Sequence, residues 1–451
     1  MTDQIPLSSR RDFLRQTACA ALTTTGILST VWDLRMVNAA VPAVNDYKAL
    51  VCIFLYGGND GNNLLVPRSG ADYAGYAGAR NVLALPQSSL LPITPAVSDG
   101  RDYGLHPSCA QLQSLFSQGK LAILSNVGTL LAPLTRAQFL AGSAAVPSQL
   151  FSHNDQAIQW QTSIPDAEPR TGWGGRCADL LASVNEGSQI SMSVSLGGVN
   201  LFEVGESVQQ YHVSTSGSVG LTGLSAGQIQ TMRDLIGQEH VNLFEHSQAQ
   251  LMNRAIENDA LLTAALAGAP AVNTAFPGTQ LGEQLRMVAR LISARNGLSM
   301  KRQIFFCAVG GYDTHGDQLN GHAQLLQELS GAMSAFHNST VEMGISSQVT
   351  TFTASDFGRT LPCNGLGSDH GWGGHQLILG GAVRGGRLYG TYPTLVVDGP
   401  NDTGLGRWIP TTSVDEYSAT LARWFGVPAS DMTTVFPNLG RFAQPDLGFM
   451  L

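Results

Sequence analysis

The sequence predicts an α/β protein: a doubly wound, mostly parallel sheet flanked by helices, with a central insertion. Three observations predict it. Short apolar runs rich in strand formers recur along the chain, helical patterns lie between several of them, and the runs end in glycine-rich turns that carry aspartate. Of 451 residues, 43% are hydrophobic and 13% charged, so there is ample apolar material for a large core. The formal net charge of −8 excludes a nucleic-acid binder that works through bulk positive charge. A total of 51 glycines points to many tight turns around a sheet rather than to a helical bundle.

The first stretch reads as an address rather than as structure. Arg10 and Arg11 precede Phe13-Leu14, a weak apolar run follows from about Ala18 to Val31, and Val37-Asn38-Ala39 supplies small residues for cleavage. The run is short for a bilayer span and is diluted by Thr, Ser and Gly. The pattern resembles a twin-arginine signal over residues 1–39. It implies the twin-arginine export machinery as a partner, and a periplasmic or secreted protein with no membrane span once the signal is removed. After Cys19 is removed with that segment, Cys52, Cys109, Cys177, Cys307 and Cys363 remain, without CxxC spacing, so no extensive disulfide framework is expected.

Residues 40–451 are expected to form one domain. Lys48 to Tyr56 (KALVCIFLY) is apolar throughout, as a strand covered on both faces must be. Similar runs follow at Lys120 to Ser125, Ile190 to Leu196, Gln303 to Val309 and Val349 to Ala354. Helical spacing marks His106 to Gln118, Gly321 to Phe336, a stretch near Gln280 to Asn296, and a C-terminal helix that Ser413 caps and Gly426 stops. Gly197 to Gly223 mixes β-prone pieces with Gly, Ser and Thr, and Ser225 to Ala267 reads as one or two long helices. Residues 197–278 are therefore read as an insertion or cap on the sheet.

Ligands of open α/β sheets sit beyond the carboxyl ends of the strands, which turns attention to the residues just after each run. Asp60, Asp313 and Asp356 hold such positions, and Asp369-His370 lies in a glycine-rich loop before the apolar Gln376 to Leu379. Carboxylates gathered at one edge repel, and a divalent cation relieves the repulsion. Aspartate mixed with imidazole favours zinc, manganese or iron over magnesium or calcium alone. Each aspartate could equally cap a turn beside glycine. Ser152, before His153, either N-caps an amphipathic helix or is a nucleophile at a helix N-terminus. Arg359 is a candidate for holding the oxygens of an anionic substrate. His212, His240, His246 and His337 read as surface residues. No GxxxxGK[ST] motif is present, and no G-x-S-x-G elbow appears at the end of a strand.

Several blocks together carry a resemblance. They are Leu55-Tyr56-Gly57-Gly58-Asn59-Asp60-Gly61, Tyr312-Asp313-Thr314-His315, Ser355-Asp356-Phe357-Gly358-Arg359-Thr360, Asp369-His370, Gly380-Gly381-Ala382-Val383-Arg384-Gly385-Gly386 and Ile409-Pro410-Thr411-Thr412-Ser413-Val414-Asp415. With the paired arginines, they make the chain resemble the twin-arginine-exported family known as domain of unknown function 1501, which is similar in fold to the alkaline phosphatase and sulfatase superfamily. The resemblance implies an alkaline phosphatase-like domain holding one or two divalent ions, zinc or manganese, with calcium as the alternative. It implies metal ligands at Asp60, Asp313, His315, Asp356 and His370, with Ser152 and Arg359 as the catalytic pair acting on a small anionic ester. Phe357 stands where phosphatases follow this aspartate with histidine, so a second metal position is expected to be poor in imidazole, with His375 as a candidate replacement. The function implied is an exported hydrolase of phosphate or sulfate esters; the alternative is an inactive relative that binds or assembles at the cell envelope.

Overall fold

The computed structural model describes residues 46–218, 225–238 and 242–451. The twin-arginine segment and His240 lie outside the described residues. A large sheet of ten strands organises the described chain. These are β1 (Lys48–Leu55), β2 (Leu121–Gly128), β3 (Ser193–Ser195), β4 (Tyr211–Ser214), β5 (Gly217–Ser218), β6 (Arg302–Val309), β7 (Val349–Ser355), β8 (Gly374–Gly380), β9 (Arg387–Gly390) and β10 (Thr412–Ser413). Their spatial order is β9-β2-β8-β7-β1-β6-β3-β4-β5, with β10 beside β2.

Most pairings are parallel, as the continuous apolar runs predicted: β1 with β6 and β7, β3 with β6 and β4, and β9 and β10 with β2. The exceptions are β8, antiparallel to both β7 and β2, and β5, antiparallel to β4. A smaller antiparallel sheet joins Leu65–Pro67, Tyr103–Leu105 and Leu91–Ile93.

The main helices are α1 (Gly70–Arg80), α2 (Ala110–Ser117), α3 (His153–Thr162), α4 (Trp173–Leu181), α5 (Ala226–Ile236), α6 (Leu243–Gly268), α7 (Gln280–Ser293), α8 (Gln318–Glu342) and α9 (Val414–Phe425). They cover both faces. Ala49, Val51, Ile53 and Leu55 of β1 share one core with Leu112 of α2, Leu285 of α7 and Leu329 of α8. Leu50, Cys52 and Phe54 share the other with Trp160 of α3, Cys177 of α4 and Leu421 of α9. This strict alternation is the two-residue period of a strand read on a sheet clothed on both sides. Each large apolar side chain so buried contributes about 1.5–3 kcal/mol, which makes β1 a rigid base for whatever its end carries.

The segment expected to be an insertion does two things. Its first part, β4 and β5, extends the edge of the large sheet, and its second part is the helix pair α5 and α6. His212 and His246 are exposed, as expected of surface residues, but His337 is buried, only 6% exposed, on the inner side of α8. The five cysteines of the described chain are free thiols, and all but Cys363 are buried. Among the described residues no helix is long and apolar enough to cross a membrane.

Candidate metal centre

The order of the sheet reverses about β1, whose last residue, Leu55, pairs with Val309 of β6 on one side and Ser355 of β7 on the other. The three loops that leave these strand ends therefore start side by side. Gly57 and Gly58 let them pass closely: both have positive φ, and a Cβ on Gly57 would lie 2.2 Å from the backbone nitrogen of Asp313. A Cβ on Gly58 would meet the Phe357 ring at 2.5 Å. Only glycine accommodates both the φ and the approach.

Asp313 is the hub. Its Oδ1 lies 3.0 Å from His315 Nε2, 3.3 Å from His370 Nε2, 3.5 Å from His153 Nε2 and 3.0 Å from Arg359 Nη1. His153, Asp313 and His370 each offer a donor atom within 4.8 Å of the others. His315 Nε2 adds a fourth, 2.9 Å from His370 Nε2. The expected ligands Asp313, His315 and His370 thus meet, and His153, at the first turn of α3, joins them.

Each imidazole has its other nitrogen held by an acceptor. His370 Nδ1 donates to the carbonyl of Phe151 at 2.8 Å; a carbonyl can only accept, so Nε2 of the neutral ring carries a lone pair. His153 Nδ1 lies 2.6 Å from Asp356 Oδ2, and His315 Nδ1 lies 3.3 Å from Asp369 Oδ1. Three imidazoles turn Nε2 towards one carboxylate oxygen, and that of His370 is bare. Lone pairs brought this close repel unless a cation sits among them, and carboxylate–imidazole pairing of this kind is how metal-binding histidines are oriented. The buried His153 Nε2 has no hydrogen-bond partner of its own. In a tetrahedral zinc site, with bonds near 2.0–2.1 Å, donor atoms are about 3.4 Å apart, close to the spacings here. The residues present fit a divalent transition metal with three nitrogen donors and one oxygen donor.

Burial alone would push the Asp313 carboxyl up, but the Arg359 guanidinium and the imidazoles outweigh it and hold the group below the usual carboxylate range. The hydrogen bond to Asp356 raises His153 above its ordinary value against the pull of burial. Burial lowers His370. The Phe357 ring stands 4.7 Å from the rings of both His153 and His370, forming an apolar wall.

Two of the expected ligands are placed otherwise. Asp356, 2% exposed, sits behind His153; its Oδ2 bonds His153 Nδ1 and also accepts from Gly57 N at 3.0 Å, so it orients His153 and stands outside the group around Asp313. Asp60 lies deeper, 1% exposed, and serves as the N-cap of the short helix Gly61–Leu64; its Oδ2 is ion-paired with Arg80 and bonded by Gln318 Nε2. Its charge is already met by a guanidinium. His375 is likewise committed elsewhere, its Nδ1 accepting from Asn126 N at 3.1 Å.

Ser152 occupies the N-cap position of α3 without making the usual cap bond. Its Oγ instead donates to Asp155 Oδ2 at 2.5 Å. The flanking residues Phe151 and His153 both contact the cluster. Arg359 is fully buried; Nη1 reaches Asp313 and the carbonyl of Gly57, while Nε and Nη2 have no partner.

The chain has distant structural likenesses. It is similar to Ps i-CgsB (11% identity, 89% of this chain and 78% of that one, TM-score 0.37). It is also similar to the soluble domain of lipooligosaccharide phosphoethanolamine transferase A from Neisseria meningitidis (8% identity, 86% and 92%, TM-score 0.37). A third is the C-terminal periplasmic domain of EcEptC from Escherichia coli in complex with Zn (10% identity, 86% and 85%, TM-score 0.33). No curated protein matches the chain. A family model does, over residues 47–427, and it spans the strand-end loops described above: the chain belongs to the family described as protein of unknown function (DUF1501).

Proposed function

We propose that the protein is an exported, metal-dependent hydrolase of phosphate or sulfate esters. The observation that carries the reading is the convergence of the Nε2 atoms of His153, His315 and His370 on Asp313 Oδ1, each ring fixed from behind by an acceptor. Zinc or manganese suits this donor set better than calcium, which prefers oxygen. Export rests on the Arg10-Arg11 pattern and the apolar run that follows it.

A bound divalent ion would polarise a phosphoryl or sulfuryl oxygen and stabilise the charge that builds up on it. The chain's own residues supply the rest. His153, His315 and His370 are oriented with Nε2 towards Asp313 by Asp356, Asp369 and the Phe151 carbonyl. Arg359, buried with Nη1 3.0 Å from Asp313 Oδ1, adds positive charge behind the site where the transferred group's negative charge builds up. Ser152 Oγ attacks the phosphorus or sulfur; its proton passes to Asp155, with which it is already hydrogen-bonded, and the bond to the ester oxygen breaks. The departing oxygen takes a proton from water, and a second water then releases the group from Ser152.

Asp313→Asn is expected to lose bound metal and turnover together, whereas Ser152→Ala is expected to keep the metal and lose turnover. Phosphomonoesters, phosphodiesters and aryl sulfates, each tried with zinc, manganese and calcium, are the substrates to screen. No turnover of any of them by metal-loaded protein would rule the reading out. A second reading, a binding or assembly protein of the cell envelope, is favoured by one observation: Arg359 already neutralises Asp313. Protein purified without bound metal, folded and stable, would support it.

A further inference from the structure

We infer that the centre takes a single divalent ion per chain, because the place a second ion would need, at Asp60, is filled by the side chain of Arg80. The inference rests on the metal-centre reading above and narrows it from one or two ions to one.

Asp60 is the carboxylate after β1 and lies directly beneath the loop that carries Arg359. Its neighbour Asn62 donates through Nδ2 to the Arg359 carbonyl at 2.9 Å. Both of its oxygens are engaged. Oδ1 accepts from Asn62 N at 3.1 Å; Oδ2 accepts from Gln318 Nε2 at 2.5 Å and is ion-paired with Arg80 Nη2. Gln318 is fixed in turn by Ser368 Oγ, which donates to its Oε1 at 2.6 Å.

Arg80 is fully buried, yet it is well satisfied. Nε donates to Asn63 Oδ1 at 3.2 Å, and Nη1 donates to the carbonyls of Thr360 at 3.1 Å and Leu361 at 3.2 Å. A second cation on Asp60 would have to sit against this guanidinium, and like charges in a water-free interior repel strongly. Displacing Arg80 would strand a buried charge and free two loop carbonyls. One nearby imidazole keeps a buried nitrogen without a partner, His322 Nδ1, but a single nitrogen beside a guanidinium makes no seat for an ion. His322 Nε2 is bonded to Asn59 Oδ1 at 3.0 Å, His106 Nδ1 accepts from Ser108 N at 3.1 Å, and His375 Nδ1 accepts from Asn126 N. Arg80 is thus a permanent cation of the fold, and its bonds to residues 360 and 361 brace the start of the loop that leads to Asp369 and His370.

The test is metal stoichiometry. The whole protein is loaded with zinc, and separately with manganese, freed of excess, and examined by native mass spectrometry and elemental analysis. One ion per chain is expected, with the same stoichiometry and unchanged affinity in Asp60→Asn and none in Asp313→Asn. Two ions in the unaltered protein, with one lost in Asp60→Asn, would overturn the inference while leaving the metal centre intact. No ion in the unaltered protein would instead overturn the metal-centre reading. Anomalous diffraction from crystals of the loaded protein needs no variant at all. One peak among His153, Asp313, His315 and His370 supports the inference; a peak at Asp60 defeats it.

Discussion

Asp356 shows how far a single carboxylate can matter without touching an ion. Its Oδ2 holds His153 Nδ1 at 2.6 Å, so the ring presents its other nitrogen to Asp313. Replacing such an outer partner commonly weakens metal binding about 10–100-fold. Asp356→Asn is therefore expected to lower zinc affinity by that factor with the fold retained, measured by competition against a chromophoric chelator; unchanged affinity would show that His153 orients itself. Much of this centre was legible at the level of single residues. Asp313, His315 and His370 follow apolar runs or lie in glycine-rich turns, the setting in which strand-end ligands occur. His153 was harder to assign, because a histidine at the start of an amphipathic helix has bland explanations and its bond to Asp356 spans 203 positions. Asp60 was misread for a related reason. The charge that answers it is Arg80, at the end of a helix of Ala, Gly and Tyr whose sequence (GADYAGYAGAR) gives no sign that its last side chain is fully buried.

At the scale of elements, the strands and helices that build the site followed from periodicity and caps. Ser413, expected as the N-cap, forms a capping box with Glu416, with Ser413 Oγ accepting from Glu416 N at 3.1 Å and Glu416 Oε2 accepting from Ser413 N at 2.9 Å. Ser413→Ala should cost about 1 kcal/mol, read as a lower denaturant midpoint with an unchanged slope. The turn after β1 is less forgiving. Gly57→Ala places a Cβ against the Asp313 backbone at positive φ, so it should destabilise the protein by more than about 1 kcal/mol and reduce metal retention as well. Full retention of metal would mean that the loop can move aside. The direction of β8 could not be read beforehand. Gln376 to Leu379 is apolar, but a strand covered on both faces has the same composition whether it runs with or against its neighbours. Its direction depends on where the chain turns at Gly371 to Gly374.

For the molecule as a whole, the buried titratable groups predict the pH dependence of stability. Burial lowers His106, His337 and His375 to about 4 and His322 to about 3. Each is neutral in the fold and takes up a proton near its ordinary 6.5 when unfolded. The unfolded chain thus binds more protons as pH falls from 6.5 towards 4, and stability is lost over that window. Burial acts oppositely on two acids, raising Glu203 to about 8 and Asp415 to about 7. They are protonated in the fold and ionised when unfolded, so stability falls as pH rises through those values. Thermal melts should show a maximum near pH 6–7 and a decline on either side; a melting temperature still rising below pH 5 would contradict it.

The four donors of the candidate centre come from positions 153, 313, 315 and 370, so its outermost members are 370 − 153 = 217 residues apart. Coordination there would act as a clasp closing a very long loop, in a chain whose described cysteines form no covalent bridge. Saturating ion would then bind the native form and not the unraveled one, raising the melting point in proportion to the logarithm of its concentration. Chelation would reverse that gain, and a chain cut short before position 370 could never fasten the clasp.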